Sequence, residues 1–133
     1  MSTKISVKYL GDLRTEAIHI DSKHKIITDA PKDNNGLGRK FSPTDLLASA
    51  LGSCLLTIMG IVAQRHNIDM INSTVNIVKE MDDNPRRISK LTANISLNND
   101  VSLKELEILK RAASHCPVHN SLNDEIKIQI NFI

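Results

Sequence analysis

One stretch constrains this chain more than any other: "SPTDLLASALGSCLLTIMGIVA", Ser42 to Ala63. From Leu46 to Ala63 it carries no charge, and Cys54 sits in its middle. Its start is marked. Ser42 can cap a helix, Pro43 suits the first turn, and Asp45 completes a Ser-x-x-Asp capping box. These signals predict a helix running to about Arg65, closed by "HNIDM". An uncharged run of this length is at the lower limit for crossing a bilayer. Yet Ser49, Gly52, Ser53, Thr57 and Gly60 interrupt it, no basic cluster flanks one end, and nothing nearby reads as a second span. A helix that is apolar all round is buried in protein or in lipid. A chain of 133 residues has little material to surround one. The expectation is therefore a soluble, buried helix completed by a second copy of the chain. Ala48, Gly52 and Gly60 lie near one face, where backbones could approach closely.

Around this helix the chain reads as α+β. In "KISVKYL", Ile5, Val7 and Tyr9 alternate with polar residues, the period of a half-buried strand. Gly11-Asp12 is a turn signal, and "LRTEAIHI" and "HKIITDA" are weaker strands. "PKDNNGLGRKF" is a loop. After the helix, "STVNIVKEMDDNPRRISKLTANISL" reads as a hairpin turning at Asp82-Asp83-Asn84-Pro85, with Leu91, Ala93, Ile95 and Leu97 alternating afterwards. Ser102 and Glu105 form a second capping box. Leu103, Leu106, Leu109 and Ala113 then follow at helical spacing, and Cys116-Pro117 should end that helix. Ile126, Ile128, Ile130 and Phe132 alternate in the last strand. This makes about six strands, one long central helix and one amphipathic helix, in a single domain over residues 1–133.

Composition narrows the function. Apolar residues make up 41% and charged residues 24%, as in ordinary globular proteins, and the net charge is +2 with no basic block. Only Tyr9, Phe41 and Phe132 are aromatic, too few for a base-stacking surface. Neither nucleic acid nor a membrane is an expected partner. The N-terminus lacks the apolar core of a secretory signal, so the expected location is cytoplasmic. There, two cysteines are redox-active, metal-binding or simply buried.

The residues alone leave those three roles open. Cys54 lies too deep in its helix to gain from the helix-end charge. Cys116, in "SHCPVHNSL", follows the end of the second helix, whose dipole has the wrong sign for a thiolate; it suits a resolving thiol better than a primary nucleophile. His115, Cys116, His119 and Cys54 could supply four metal ligands, but His-Cys-x-x-His is not a zinc spacing.

Two motifs together resemble the OsmC/Ohr family, the osmotically inducible and organic-hydroperoxide-resistance proteins. The first is Pro43, Asp45, Leu46, Leu47, the small residues Ala48, Ser49 and Ala50, then Cys54. The second is an amphipathic helix ending in Cys116, Pro117 and Val118. The strand order resembles the family along nearly the whole chain. The resemblance implies an intertwined homodimer whose sheets wrap two central helices. It also implies a thiol peroxidase with no cofactor and no metal. In that chemistry Cys54 attacks an organic hydroperoxide and becomes a sulfenic acid, Cys116 captures it as a disulfide, and an external dithiol resets the pair.

A free thiol is only a few per cent ionised at neutral pH, so the resemblance also implies an activating cation held by a carboxylate. Arg39, in the loop before the helix, is the preferred cation, and Arg14, in the first hairpin, is the alternative. Asp45 or Thr44 is expected to position it. Thr44 stands where the peroxidase branches carry an acid, with Asp45 one position later, a pattern that resembles a less characterised branch. Two other readings stand beside the peroxidase: a non-catalytic dimer with a small apolar ligand pocket beside Cys54, and the Cys/His metal site.

Overall fold

The first 46 residues are built on strand alternation. The structure, a computed structural model, describes residues 1–98 and 100–133 and contains two compact units, Met1–Leu46 and Leu47–Ile133. In the first unit, β1 (Ile5–Gly11), β2 (Arg14–His19) and β3 (Lys25–Asp29) form an antiparallel meander in that order. Tyr9 pairs with Thr15 and Thr15 with Thr28, and the Thr15 and Thr28 hydroxyls are hydrogen-bonded. Ile5, Val7 and Tyr9 share one face of β1 and all three stay more than 60% exposed. The alternation read from the sequence is present, but within one chain its apolar face lies open.

Beyond β3 the chain makes a 3₁₀ turn at Lys32–Asn34 and then a loop that is tied back onto the strand. The Asp29 N–H donates to the Phe41 carbonyl (3.1 Å) and the Gly38 N–H to the Ala30 carbonyl (3.1 Å). Gly36 is needed here for space: a Cβ on it would lie 1.8 Å from the Ala30 carbonyl oxygen. The Gly36→Ala variant should therefore displace this loop. We expect a loss of about 1–3 kcal/mol, read as a lower urea midpoint with an unchanged slope.

The second unit is a sheet in the order β4-β5-β6, with α1 and α2 packed on it. Its elements are β4 (Thr74–Asp82), β5 (Arg87–Ser96) and β6 (Lys127–Phe132). β4 and β5 are the antiparallel hairpin. β6 runs parallel to β5, and a parallel neighbour needs a crossover. α2 (Leu103–Ala113) and the short α3 (Pro117–Ser121) provide it. The capping box of α2 is complete: Ser102 Oγ accepts from the Glu105 N–H, and Glu105 Oε1 accepts from the Ser102 N–H. Leu109, Ala112 and Ala113 are buried, whereas Leu103, at the first helical position, is 84% exposed, so the apolar stripe begins a turn later than its spacing suggests. Lys110 lies over the Phe132 ring, 5.7 Å from its centroid, linking α2 to β6.

α1 (Pro43–Arg65) begins and ends where the sequence signals place it. Its buried residues, Ala48, Leu51, Gly52, Leu55, Met59 and Ala63, recur at the spacing of one helical face. They join Leu91, Ala93, Ile95 and Leu109 in the core. By length and apolarity it is the one helix among the described residues that could cross a membrane, yet 33% of its most apolar window is buried by this chain. The remainder, including Ile61, is at least partly open. Gly52 does not lie against a second helix: a Cβ there would meet Ile77 and Val75 of β4.

Candidate active site

The second unit brings the two cysteines together. Both are free thiols, Cys54 half-buried in mid-α1 and Cys116 fully buried. Cys54 lies close enough to Cys116 to disfavour its ionisation. One long helix and one crossover segment thus bring the two cysteines into one neighbourhood, and disulfide exchange requires that the two sulfurs can meet.

Cys116 is not placed as its sequence position suggests. α2 stops at Ala113 with Ser114 as its C-cap, and Cys116 is instead the N-cap of α3, with Pro117 at the first helical position. Its Sγ accepts from the His119 N–H at 3.5 Å. The backbone polarity there is the reverse of a helix C-terminus, because an N-cap faces N–H groups. The signal was in the sequence: a small polarizable residue followed by proline is a helix start as much as a stop. Burial pushes the Cys116 thiol up nonetheless. The neighbouring Cys54 adds to this, while the N–H groups of His119 and Val118 oppose it. The protonated thiol of Cys116 is therefore favoured.

The histidines do not join it as ligands. His115 Nδ1 lies 2.9 Å from the Arg111 carbonyl, and the described residues contain no group of three or more His, Cys, Asp or Glu placed to hold a metal. A groove of about 420 Å³ lies between α1 and β4, lined by Ser49, Gly52, Ser53, Leu56, Val75 and Ile77, and Cys54 is not among its lining residues. Its walls are aliphatic with two hydroxyls.

The first unit gathers the charged residues. Asp45 is a capping residue: its Oδ2 accepts from the Ser42 N–H (3.0 Å), and Ser42 Oγ accepts from the Asp45 N–H (3.1 Å). Thr44 Oγ1 lies 3.2 Å from Ser42 Oγ. The carboxylate bonded to Arg39 belongs to a residue not singled out in the sequence, Asp29. Its Oδ2 accepts from Arg39 Nε (3.0 Å) and from the Arg39 backbone N–H (3.2 Å). Asp29 is 1% exposed, whereas the Arg39 side chain is 49% exposed. Arg14 lies directly opposite Asp29 in the β2–β3 ladder. The hydrogen bond from Arg39 holds the Asp29 carboxyl below the usual carboxylate range; burial opposes it, and the charges of Arg39 and Arg14 reinforce it. Both sequence-derived arginines thus converge on one buried acid.

A family model described as "OsmC-like protein" matches residues 35–131. This chain belongs to the OsmC-like protein family. The match includes α1, both cysteines and Arg39. A solved structure from Psychrobacter arcticus, of a candidate osmotic stress induced and detoxification response protein, is similar over 100% of this chain and 97% of its own, with 44% identity and a TM-score of 0.94. An organic hydroperoxide resistance protein OsmC from Legionella pneumophila shares the fold at 14% identity and TM-score 0.78, covering 99% of this chain and 96% of its own. So does an organic hydroperoxide resistance protein from Elizabethkingia anophelis with thiocyanate bound, at 17% identity and TM-score 0.72, with 99% and 95% covered. No curated protein matches the sequence. The α+β expectation, with six strands and the OsmC-like fold, is met.

Proposed function

We propose that this OsmC-like chain is a thiol-dependent peroxidase that reduces organic hydroperoxides. The nearness of Cys54 to Cys116 carries the reading. The Cys54 thiolate attacks the distal peroxide oxygen, the O–O bond breaks, and the alkoxide leaves as the alcohol after taking a proton. Cys54 is left as a sulfenic acid. The Cys116 sulfur then attacks the Cys54 sulfur, giving a disulfide and water. An external dithiol reduces the disulfide and is itself oxidised to a disulfide. No metal or other cofactor takes part.

The working unit we propose is a cytoplasmic homodimer of one OsmC-like domain spanning residues 1–133. The open apolar face of β1 and the partly open surface of α1 support it. The scarcity of aromatic residues and the aliphatic character of the chain's interior favour an alkyl hydroperoxide over hydrogen peroxide.

Sub-stoichiometric cumene hydroperoxide should remove two thiols for each peroxide reduced, and mass analysis should find a Cys54–Cys116 bond. A second reading, a non-catalytic dimer that binds a small ligand, draws on Thr44 standing where peroxidase branches carry an acid. Unconsumed peroxide with both thiols intact would favour it.

A further inference from the structure

We propose that a cleft between the C-terminal ends of α1 and α2 binds a small aliphatic carboxylate. It has a volume of about 330 Å³ and is lined by Val62, His66, Ile108, Arg111, Ala112 and His115, all within the second unit. Neither cysteine lines it. Val62 lies two turns past Cys54, about 12 Å along the helix axis. The thiol chemistry proposed above plays no part in it. The lining follows from helical spacing. Ile108, Arg111, Ala112 and His115 fall at i, i+3, i+4 and i+7 along α2, and His66 stands one turn after Val62 at the end of α1. Backbone bonds carry each helical turn on to its histidine, from the His66 N–H to the Val62 carbonyl (3.2 Å) and from the His115 N–H to the Ala112 carbonyl (3.0 Å). Val62, Ile108 and Ala112 make the apolar part of the lining, and the other three residues are basic.

The charge in this cleft is uncompensated. Glu107 stands four residues before Arg111, the spacing of a helical ion pair, yet its Oε1 lies 3.9 Å from Lys110 Nζ instead. Among the described residues the Arg111 guanidinium has no carboxylate partner. Cations near a helix C-terminus ordinarily answer its open carbonyls and partial negative charge. Here the carbonyls are met by other donors. That of Arg111 accepts from the Ser114 N–H (3.2 Å), from Ser114 Oγ (2.6 Å) and from His115 Nδ1 (2.9 Å), and that of Ala63 accepts from the Ile68 N–H (2.9 Å). The partial charge of a helix end is about half an elementary charge, against the full charge of Arg111. The donor pattern selects the head group. With Nδ1 donating to a carbonyl, a neutral His115 offers only a lone pair at Nε2, so Arg111 is the one permanent cation and matches a singly charged head. A carboxylate presents two oxygens to the planar fork of the guanidinium, whereas a phosphate dianion lacks a second fixed cation. The guanidinium also opposes a metal ion on the two histidines. The volume, at the small end of the roughly 300–1,000 Å³ of ligand sites, suits a short aliphatic tail against Val62 and Ile108.

The test is a titration of the full chain with sodium octanoate, followed through the ring resonances of His66 and His115 by NMR. Both should shift and saturate. Octanol, with the same tail and no charge, should bind about tenfold more weakly or worse. Arg111→Met should weaken octanoate by about tenfold. Lys110→Met removes the neighbouring charge, which lies over the Phe132 ring, and should leave octanoate binding unchanged. Equal losses in the two variants would reveal a general charge effect and overturn the site, as would octanol binding as well as octanoate, or shifts that never saturate. Octyl phosphate binding more tightly than octanoate would overturn the carboxylate assignment. If octanoate moves neither ring and Arg111→Met lowers the mass seen by light scattering, the cleft is a contact between subunits and holds no ligand. Should Arg111→Met not fold, Arg111→Lys decides: it keeps the charge without the fork and should lose part of the affinity, and undiminished binding would overturn the role of the guanidinium.

Discussion

Cys54→Ser should abolish hydroperoxide consumption, whereas Cys116→Ser should permit one oxidation per chain and then over-oxidise. That is the expected result of a peroxide assay with mass analysis, and the difference follows from the surroundings of the two sulfurs. Cys116 is fully buried, and burial holds its thiol above the ordinary range, so at neutral pH it is a proton-bearing and weak nucleophile. It can attack a sulfur already made electrophilic by oxidation, but it is poorly suited to attack a peroxide. Cys54 is more open. A serine at position 54 has no accessible anion and should cost at least about a hundredfold in rate. Without Cys116 the Cys54 sulfenic acid has no captor, and further peroxide converts it to the sulfinic acid. The Cys116→Ser chain should therefore gain one oxygen and then two at Cys54, with no disulfide. The reverse pattern, in which Cys116→Ser blocks the first oxidation and Cys54→Ser does not, would exchange the two roles.

The parts of this site that were legible in the sequence are those carried by local chemistry. Ser42, Pro43 and Asp45 mark the start of α1, and Ser102 with Glu105 mark that of α2, because capping needs only residues three apart. Alternation located Leu91, Ala93 and Ile95 in the core for the same reason. What was not legible depends on pairing at a distance. Asp29 ends a weak strand and reads as an ordinary polar boundary; its partners appear only once β2 and β3 set Arg14 opposite it and the loop returns Arg39 to its carboxylate. Asp45 had a local role sufficient to explain it, and it fills that role. Cys116 was misplaced because proline both stops and starts helices, and here the start of α3 governs its environment. The parallel placement of β6 is likewise invisible to periodicity, which carries no direction.

Gly52→Leu and Gly60→Leu should fail in different ways, and the contrast tests how the chain is completed. A Cβ on Gly52 would lie 3.2 Å and 3.3 Å from Ile77 Cγ1 and Cδ1, and 3.7 Å from Val75 Cγ1. Even a methyl group is tight there, and the rest of a leucine must enter a core bounded by β4 of the same chain. Overpacking of this kind costs about 3 kcal/mol, partly offset by roughly 1 kcal/mol of helix propensity gained on replacing glycine. The loss is internal to the chain, so it should be the same at every protein concentration. Gly60 is the opposite case, with nothing within 4 Å of a Cβ built there. In an isolated chain Gly60→Leu should be tolerated and should gain the helix propensity. If the open surface of α1 is covered by the second copy in the proposed dimer, the added side chain must instead intrude between subunits. Its destabilisation should then grow as the protein is diluted, because dissociation is coupled to folding. Light scattering at micromolar concentration should show a dimer for the unaltered chain and a weaker one for Gly60→Leu. A dimer of unchanged mass together with a raised Tm would place the subunit contact away from this turn of α1. A folded monomer of the unaltered chain would remove the homodimer altogether.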